Sequence, residues 1–136
     1  MVEQTLIIVK PDAVKRNLIG KILTRFEEKG FVIKNIKSLN LTSEQAREFY
    51  SAHKEKPFFE ELVSFISSHM VVACILEGSN AISTVRLLIG STTSYQASPG
   101  TIRGDYGLGI TENIIHASDS YESFIKESGV IFDSNT

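Results

Sequence analysis

The longest uninterrupted run of apolar residues in the chain covers only seven positions, residues 70–76. A membrane-spanning helix needs about 20 such residues, whereas a buried β-strand needs only about four to eight. A second short run, residues 6–9, is followed by Lys10 and Pro11, and proline favours extended backbone in the residue before it. Both runs therefore predict short buried strands, with Lys10 at the end of the first.

Apolar residues at helical spacing predict helices between these strands. One such stripe precedes Gly30, a typical residue at a helix C-terminus, and it consists of Ile19, Ile22, Leu23 and Phe26. Thr42 and Gln45 fit a capping box, and we expect the helix that they begin to run to about Lys54. Later helices are predicted after Pro57, at residues 81–89 with Asn80 as a cap, and from Asp119, which with Glu122 fits a helix start.

The predicted order of elements is β, α, β, α, α, β, α, loop, β, α, without internal repeats. A chain of 136 residues can form one domain with its own core, so we expect a single domain over residues 1–136. The pattern favours an α+β fold, the ferredoxin-like βαββαβ sandwich, with a four-stranded antiparallel sheet and helices on one face. A doubly wound parallel sheet is the alternative. Residues 90–112 show little periodicity and predict a long functional loop before a short strand at 114–116.

Charge and hydropathy narrow the classes of partner. The formal net charge is -2, so the chain lacks the broad cationic field of a nucleic-acid-binding protein, and we expect no sequence-specific nucleic-acid contact. Eleven of the 14 Lys and Arg residues lie at or before Lys56, which leaves nucleic-acid binding through the basic N-terminal half as a weaker alternative. Because the N-terminus has no basic segment before a long apolar run, we expect a soluble, unprocessed, cytoplasmic protein without membrane contact.

Residues 100–120 hold the densest polar chemistry of the chain. They include Arg103, Asn113, His116 and Ser118. Histidine is the one side chain among them that can act as a neutral nucleophile near pH 7. A downstream carboxylate, with Glu127 the best candidate, can accept one imidazole N–H and leave the other ring nitrogen free to attack. The alternative for His116 is a hydrogen-bonded residue at the edge of the core.

Three cations, Lys10, Arg86 and Arg103, belong to three different predicted elements and can converge on a polyphosphate. The chain has no Walker A motif, no G-x-G-x-x-G motif and no protein-kinase motif, so any nucleotide is bound in another way. Surface ion pairs are the alternative for these cations. The three histidines lack the spacing of a metal site, so the sequence predicts no metal held by the protein alone.

Phe58 and Phe59 directly follow Pro57 at the start of a predicted helix. One of the two rings can pack inward while the other stacks on a planar ligand, and the alternative is that both belong to the core. No carboxylate or amide is apparent near Phe58 to bind the edges of such a ligand, so we expect planar ligands with different edge groups to be accepted broadly.

Several segments together resemble the nucleoside diphosphate kinase family. The resemblance runs from about Thr5 to Phe132, and its most specific part is Asn-Ile-Ile-His-Ala-Ser-Asp-Ser at 113–120. The other matching segments are Val-Lys-Pro-Asp-Ala-Val at 9–14, Arg-Phe-Glu at 25–27, Lys-Gly-Phe at 29–31, Tyr50 with Lys-Pro-Phe-Phe at 56–59, Leu-Glu-Gly at 76–78 and Pro-Gly-Thr-Ile-Arg-Gly-Asp at 99–105.

The resemblance implies a ferredoxin-like core and a reversible ping-pong reaction. In that reaction the γ-phosphoryl group of a nucleoside triphosphate, bound with Mg²⁺, passes to a nucleoside diphosphate through a phosphohistidine. His116 is implied as the nucleophile and Glu127 as its orienting partner, with Tyr50 and Ser118 in support. The implied nucleotide ligands are Lys10, Phe58, Arg86, Thr92, Arg103 and Asn113. Mg²⁺ is expected to be held mainly by the nucleotide phosphates.

A homo-oligomer, either a tetramer or a hexamer, is also implied. The chain differs from the family's usual residues at Ala117, at His69 with Met70, and at Ser94 with Tyr95. The alternative function is that of a non-catalytic nucleotide-binding relative that regulates or scaffolds a partner.

Overall fold

The computed structural model describes residues 1–133, and within them the chain forms four strands and seven α-helices. The strands are β1 (Val2–Val9), β2 (Val32–Leu39), β3 (Val71–Ser79) and β4 (Ile115–Ala117). The helices are α1 (Pro11–Lys15), α2 (Ile19–Lys29), α3 (Ser43–Phe49), α4 (Phe59–Ile66), α5 (Ala81–Ile89), α6 (Ile102–Tyr106) and α7 (Tyr121–Ser128). Short 3₁₀ turns lie at Ser51–His53 and Ser94–Gln96, and a π-helical turn lies at Gly129–Asp133.

The strands form one antiparallel sheet in the order β2-β3-β1-β4. Strand β1 lies inside the sheet, where Ile8 is opposite Ala73 of β3 on one side and opposite His116 of β4 on the other. Helices connect β1 to β2 and β3 to β4, which is the α+β ferredoxin-like arrangement and confirms the predicted fold class. The antiparallel pairing excludes the doubly wound parallel sheet.

Helices cover both faces of this sheet, so the expectation of helices on one face is wrong. Ile7 and Val9 belong to a buried cluster with residues of α1, α2 and α5, whereas Leu6 and Ile8 belong to a second cluster with residues of α3, α4 and α7. All four side chains are fully buried. Alternate residues of a strand point to opposite faces, so an unbroken apolar run such as residues 6–9 indicates burial on both sides.

The observed ends of α2 and α3 agree in part with those predicted from the sequence. Gly30 follows α2 with a left-handed φ of 113°, and Thr42 forms the predicted capping box with Gln45. Helix α3 ends at Phe49 rather than near Lys54, because the chain continues from there as a 3₁₀ turn.

Two predicted helix starts are wrong in detail. Asn80 precedes α5, but its own backbone has a left-handed φ of 48° and its side chain caps no N–H group. Helix α7 is capped by Ser120, whose Oγ accepts the Ser123 N–H at 3.0 Å. Asp119 therefore lies one residue before the cap, and its carboxylate accepts a hydrogen bond from the Ser123 hydroxyl at 2.8 Å.

The predicted loop at residues 90–112 contains α6, so it is more regular than expected. Thr101 caps α6 by accepting the Gly104 N–H at 3.0 Å. Asp105 accepts the Gly100 N–H at 2.9 Å and pairs with Arg25 of α2 at 2.5 Å. These contacts fasten the loop to the rest of the domain and position α6, which carries one of the predicted phosphate ligands.

Candidate active site

A cavity of about 880 Å³ lies where the ends of β1 and β4 meet α5, α7 and the loop at 90–112. Nine of the ten predicted site residues line it: Lys10, Tyr50, Phe58, Arg86, Thr92, Arg103, Asn113, His116 and Glu127. The tenth, Ser118, is fully buried and reaches the site through its bond to Glu127. Residues that are up to 117 positions apart in the sequence therefore meet in one place.

His116 is held by the carboxylate that the sequence predicted. Its Nε2 lies 2.9 Å from Oε1 of Glu127, and the same oxygen accepts a hydrogen bond from the Ser118 hydroxyl at 2.7 Å. Because a carboxylate only accepts hydrogen bonds, the ring proton belongs on Nε2 and the lone pair on Nδ1. Nδ1 has no hydrogen-bond partner in the part of the chain that the structure describes, so it is the nitrogen available to a substrate.

Two aromatic rings fix the plane of the imidazole. Phe49 meets the His116 ring edge-on, with centroids 4.9 Å apart, and Tyr50 lies perpendicular to it at 6.5 Å. Burial raises the pKa of the Tyr50 phenol, with a further contribution from the nearby Glu127 charge, so the phenol is neutral. Tyr50 thus lies beside the imidazole, and so does Phe49, which the sequence analysis did not single out.

Arg103 is only 3% exposed, and main-chain carbonyls bind all of its nitrogen atoms. Nη2 donates to the carbonyl of Ile115 at 2.7 Å, Nη1 to that of Gly90 at 3.0 Å, and Nε to that of Asn113 at 3.3 Å. Burial, with a smaller repulsion from Arg86, lowers the pKa of Arg103 to about 10, so the group remains charged at neutral pH. A buried guanidinium that is bound only by neutral groups attracts an anion.

Lys10 is the second buried cation, at 4% exposure. Its ammonium donates to Oδ1 of Asn113 at 2.7 Å, and the Asn113 amide in turn donates to the carbonyl of Thr92 at 3.0 Å. Burial and repulsion from Arg103 lower the pKa of Lys10 to about 7, partly offset by Asp12. A bound phosphate would restore the charged form.

Arg86 completes the group of cations. Its Nη1 donates to the carbonyl of Ala117, the residue after His116, at 3.0 Å. Within residues 1–133, none of Lys10, Arg86 and Arg103 lies within ion-pair distance of a carboxylate. The alternative of surface ion pairs is therefore wrong for these three side chains, and their charge faces the cavity.

Apolar side chains also line the cavity. Phe58 is 42% exposed there, as is Ile110 at 56%, while Phe59 packs against the buried cluster on its side of the sheet. Phe59 therefore packs inward while the Phe58 ring stays exposed, and stacking of Phe58 on a planar ligand stays a prediction. Ile110 was not predicted, because residues 90–112 carry no periodicity that marks it.

Two carboxylates also line the cavity and were missed as site residues. Glu61 lies one helical turn after Phe58, so the premise that no carboxylate stands near Phe58 is wrong, and helical spacing along α4 could have shown it. Asp119 was considered only as a helix start. The Ser123 hydroxyl holds the pKa of its carboxyl below the usual range, and therefore Asp119 is ionised at neutral pH.

The segment before His116 contains a strained turn instead of the predicted first strand residue. The Ile115 N–H donates to the carbonyl of Asn113 at 2.8 Å, which closes a γ-turn around Ile114 with φ at 76°. A buried β-branched residue in such a conformation costs roughly 1–3 kcal/mol and persists only where its surroundings hold it. Strand β4 therefore begins at Ile115.

No three His, Cys, Asp or Glu side chains of the described residues form a cluster that could hold a metal ion. In the same part of the chain, no helix combines the length and the apolar character needed to cross a bilayer.

Comparison with known proteins identifies the family. A family model described as nucleoside diphosphate kinase matches residues 3–136. The chain belongs to the nucleoside diphosphate kinase family. It is 53% identical over 133 residues to the nucleoside diphosphate kinase of Thermoplasma volcanium, covering 98% of this chain and 90% of that protein. It is 56% identical over 131 residues to that of Hyperthermus butylicus, covering 96% and 92%.

Solved structures of the family share the fold. The Aquifex aeolicus nucleoside diphosphate kinase superposes with a TM-score of 0.95 at 50% identity, over 98% of this chain and 97% of that chain. The Halobacterium salinarum nucleoside diphosphate kinase, solved in complex with CDP, gives a TM-score of 0.94 at 44% identity, over 99% and 90%.

Burial of Lys10 predicts a pH dependence of stability. Its pKa in the folded protein, about 7, lies below the ordinary value of 10.5, so between these values the unfolded chain binds more protons and folding stability rises with pH. In denaturant titrations of the ligand-free protein, Lys10→Met should lose this rise between about pH 7 and about pH 10. Lys15→Met, at an exposed lysine, should keep it. Equal pH slopes for Lys10→Met and the wild type would contradict the prediction.

Proposed function

We propose that this enzyme transfers the γ-phosphoryl group of a nucleoside triphosphate reversibly to a nucleoside diphosphate, with His116 as the covalent carrier. Membership of the family and the curated kinases that are more than 50% identical over nearly the whole chain support nucleotide phosphoryl transfer. The observation that carries the histidine mechanism is that, among the described residues, Nδ1 of His116 has no hydrogen-bond partner and the three cations of the same cavity have no carboxylate partner.

In the first half-reaction, the Nδ1 lone pair attacks the γ-phosphorus of the triphosphate. A P–N bond forms, the bond to the β–γ bridging oxygen breaks, and the nucleoside diphosphate leaves with that electron pair. The imidazole gains positive charge as the bond forms, and the Glu127 carboxylate at Nε2 stabilises it. In the second half-reaction, a terminal oxygen of the acceptor diphosphate attacks the phosphohistidine and His116 is regenerated.

The buried cations act on the moving phosphoryl group. Lys10, Arg86 and Arg103 are fixed by carbonyl and amide oxygens before any substrate binds, so they need not reorganise as charge develops on the phosphoryl oxygens. Asn113 and Thr92, which are joined by a hydrogen bond at the same wall, are placed to bind phosphate or ribose hydroxyls. A phosphohistidine and a nucleoside triphosphate have similar free energies of phosphoryl transfer. The two half-reactions are therefore each close to zero in free energy, and the reaction is reversible.

Mg²⁺ fits the site as a companion of the nucleotide. The cavity offers cations for phosphate oxygens and no cluster of metal ligands among the described residues, and Mg²⁺ characteristically keeps water and phosphate ligands in such sites. When bound, the ion neutralises part of the triphosphate charge. Asp119, ionised at the cavity wall, could accept hydrogen bonds from water ligands of the ion.

The non-catalytic alternative is not favoured. A regulatory or scaffolding relative needs only the nucleotide-binding residues, whereas here the nucleophile also has its orienting carboxylate and that carboxylate has its own donor, Ser118. These bonds orient the His116 imidazole, which nucleotide binding alone does not require.

A homo-oligomer is proposed from the exposed edge of the sheet. Strand β2 is an edge strand, and it presents Val32 at 55% and Ile36 at 53% exposure. An exposed apolar edge strand is a surface that a second copy of the chain can cover. Whether dimers built there assemble further into a tetramer or a hexamer follows from the mass of the particle.

The covalent route predicts a phosphoenzyme. With a labelled triphosphate and Mg²⁺ but no acceptor, the wild type should take up one acid-labile, base-stable phosphoryl group per chain in a burst and release a diphosphate. His116→Ala should bind nucleotide but lose turnover by several orders of magnitude, whereas Arg103→Ala should lose roughly 10²- to 10³-fold and still form some phosphoenzyme. His69→Ala is the control that keeps the burst.

Initial-rate plots of the wild type should be parallel, as a ping-pong mechanism requires. A wild type that takes up no label, or a His116→Ala variant that exchanges phosphate at a near wild-type rate, would contradict the enzyme mechanism and favour the regulatory binding module.

Base acceptance should be broad, because Phe58 and Ile110 offer apolar surface to any base and Glu61 is exposed to solvent. We expect purine and pyrimidine diphosphates to differ in kcat/KM by well under about 10³-fold. Glu61→Gln should shift the guanine-to-uracil ratio by less than about tenfold, since a solvated carboxylate contributes little. The matched control is Glu60→Gln, whose carboxylate pairs with Arg47. A shift above 10³-fold would reveal buried recognition of the base edge.

If copies of the chain associate through β2, a charge on this strand should weaken the homo-oligomer. In light scattering at micromolar concentrations, the wild type should be larger than the 15.1 kDa chain, and Ile36→Lys should shift it toward smaller particles. Ile125→Lys, a matched change at 51% exposure on α7, should leave the mass unchanged. An Ile36→Lys variant with the wild-type mass would exclude the β2 edge as the contact.

A further inference from the structure

Asp12 lies in the first turn of α1, one residue after Pro11, and its carboxylate reaches across the fold to the strained turn before His116. Oδ2 accepts the Ile114 N–H at 3.1 Å, although the two residues are 102 positions apart. Oδ1 is buried and has no partner among the described residues. Asp12 as a whole is half-buried, but a buried carboxylate oxygen without a hydrogen-bond partner costs free energy, so the contact with Ile114 is kept at a cost to folding.

The γ-turn at Ile114 is held from both sides by the junction of β1 and α1. Its N–H is bound by the Asp12 side chain, and its carbonyl accepts the main-chain N–H of Lys10 at 2.9 Å. Ile114 is a fully buried β-branched residue with φ at 76°, a conformation that such residues adopt only when their surroundings impose it. Asp12 supplies the side-chain contact to Ile114 itself, and Lys10 supplies the main-chain contact.

The relative positions of the phosphate-binding groups depend on this γ-turn. The carbonyls on its two flanks, those of Asn113 and Ile115, bind the Arg103 guanidinium. The Asn113 side chain binds the Lys10 ammonium, and His116 follows two residues after Ile114. A relaxed turn would therefore move two cations and the nucleophile relative to one another.

We propose that Asp12 is a positioning residue for phosphoryl transfer. Its carboxylate holds Ile114 in the strained turn and thereby keeps Arg103, Lys10 and His116 at the relative positions that the reaction needs. This inference rests on the proposed function, because the groups that it positions are those of the phosphohistidine reaction. An ordinary role for Asp12 would be limited to the favourable charge at the start of α1.

The test compares Asp12→Asn with Asp12→Ala. Both variants remove the charge, and only asparagine keeps an oxygen that can accept the Ile114 N–H. Both variants lose the Asp12 charge, which helps to keep Lys10 protonated, so any effect on that lysine is common to the two and cancels when they are compared with each other. The readouts are the single-turnover rate of phosphoenzyme formation, the separate values of kcat and KM, and hydrogen exchange at the Ile114 amide.

We expect Asp12→Ala to slow phosphoenzyme formation by roughly 10- to 100-fold with a much smaller change in KM, since misplacement by about 1 Å costs rates of this order. Asp12→Asn should stay within about fivefold of the wild type. The Ile114 amide should exchange faster in Asp12→Ala and stay protected in Asp12→Asn. Glu44→Ala, at an acidic residue in the first turn of α3, is the control that changes none of these readouts.

Two results would overturn the inference. One is an Asp12→Ala variant that melts at a lower temperature but phosphorylates at the wild-type rate, and the other is an Asp12→Asn variant as slow as Asp12→Ala. If alanine prevents folding, Asp12→Ser, which keeps a polar first turn but is too short to reach Ile114, repeats the comparison. Failure of the wild type to form any phosphoenzyme would instead count against the proposed function itself.

Discussion

The site depends on buried positive charge that has no carboxylate counterion within residues 1–133. Desolvating an isolated cation costs several kcal/mol, and here Arg103 and Lys10 are both more than nine-tenths buried. Hydrogen bonds from charged donors, each worth roughly 1.5–3 kcal/mol, offset this cost through the carbonyls of Gly90, Asn113 and Ile115 and the amide of Asn113. The rest of this desolvation cost is offset when a polyphosphate binds to the two cations. Their burial in the folded protein therefore favours binding of the substrate.

The two-sided sheet explains how one cavity serves two chemical tasks. The helices on one face, α1, α2 and α5, position the end of β1 and the cation on α5. The helices on the other face, α3, α4 and α7, supply the aromatic ring beside the imidazole, the exposed Phe58 and the carboxylate on α7. His116 lies on β4, an edge strand of the sheet between these two layers of helices.

The sequence predicts those parts of the site that depend on residue type and local spacing. His116, Arg103 and Asn113 lie within one short segment, and the runs at 6–9 and 70–76 mark the central strands. The resemblance to the family then assigns their roles. What local patterns could not supply are contacts between distant elements: the bond from Asp12 to Ile114, the position of Ile110, and the second helical layer. Helix α6 was not predicted because its glycine-rich segment has no apolar periodicity. The helix is held instead by the contacts of Asp105 with Arg25 and Gly100.

The central claim is that Glu127 fixes the His116 tautomer so that only Nδ1 can attack. It is tested most directly by identifying the phosphorylated nitrogen. Long-range ¹H–¹⁵N correlation spectra of the phosphoenzyme, prepared with ¹⁵N-labelled histidine and supported by ³¹P spectra, distinguish the two ring nitrogens. The account predicts Nδ1-phosphohistidine at His116. A phosphoryl group on Nε2 of His116, or on the Ser118 hydroxyl, would contradict it.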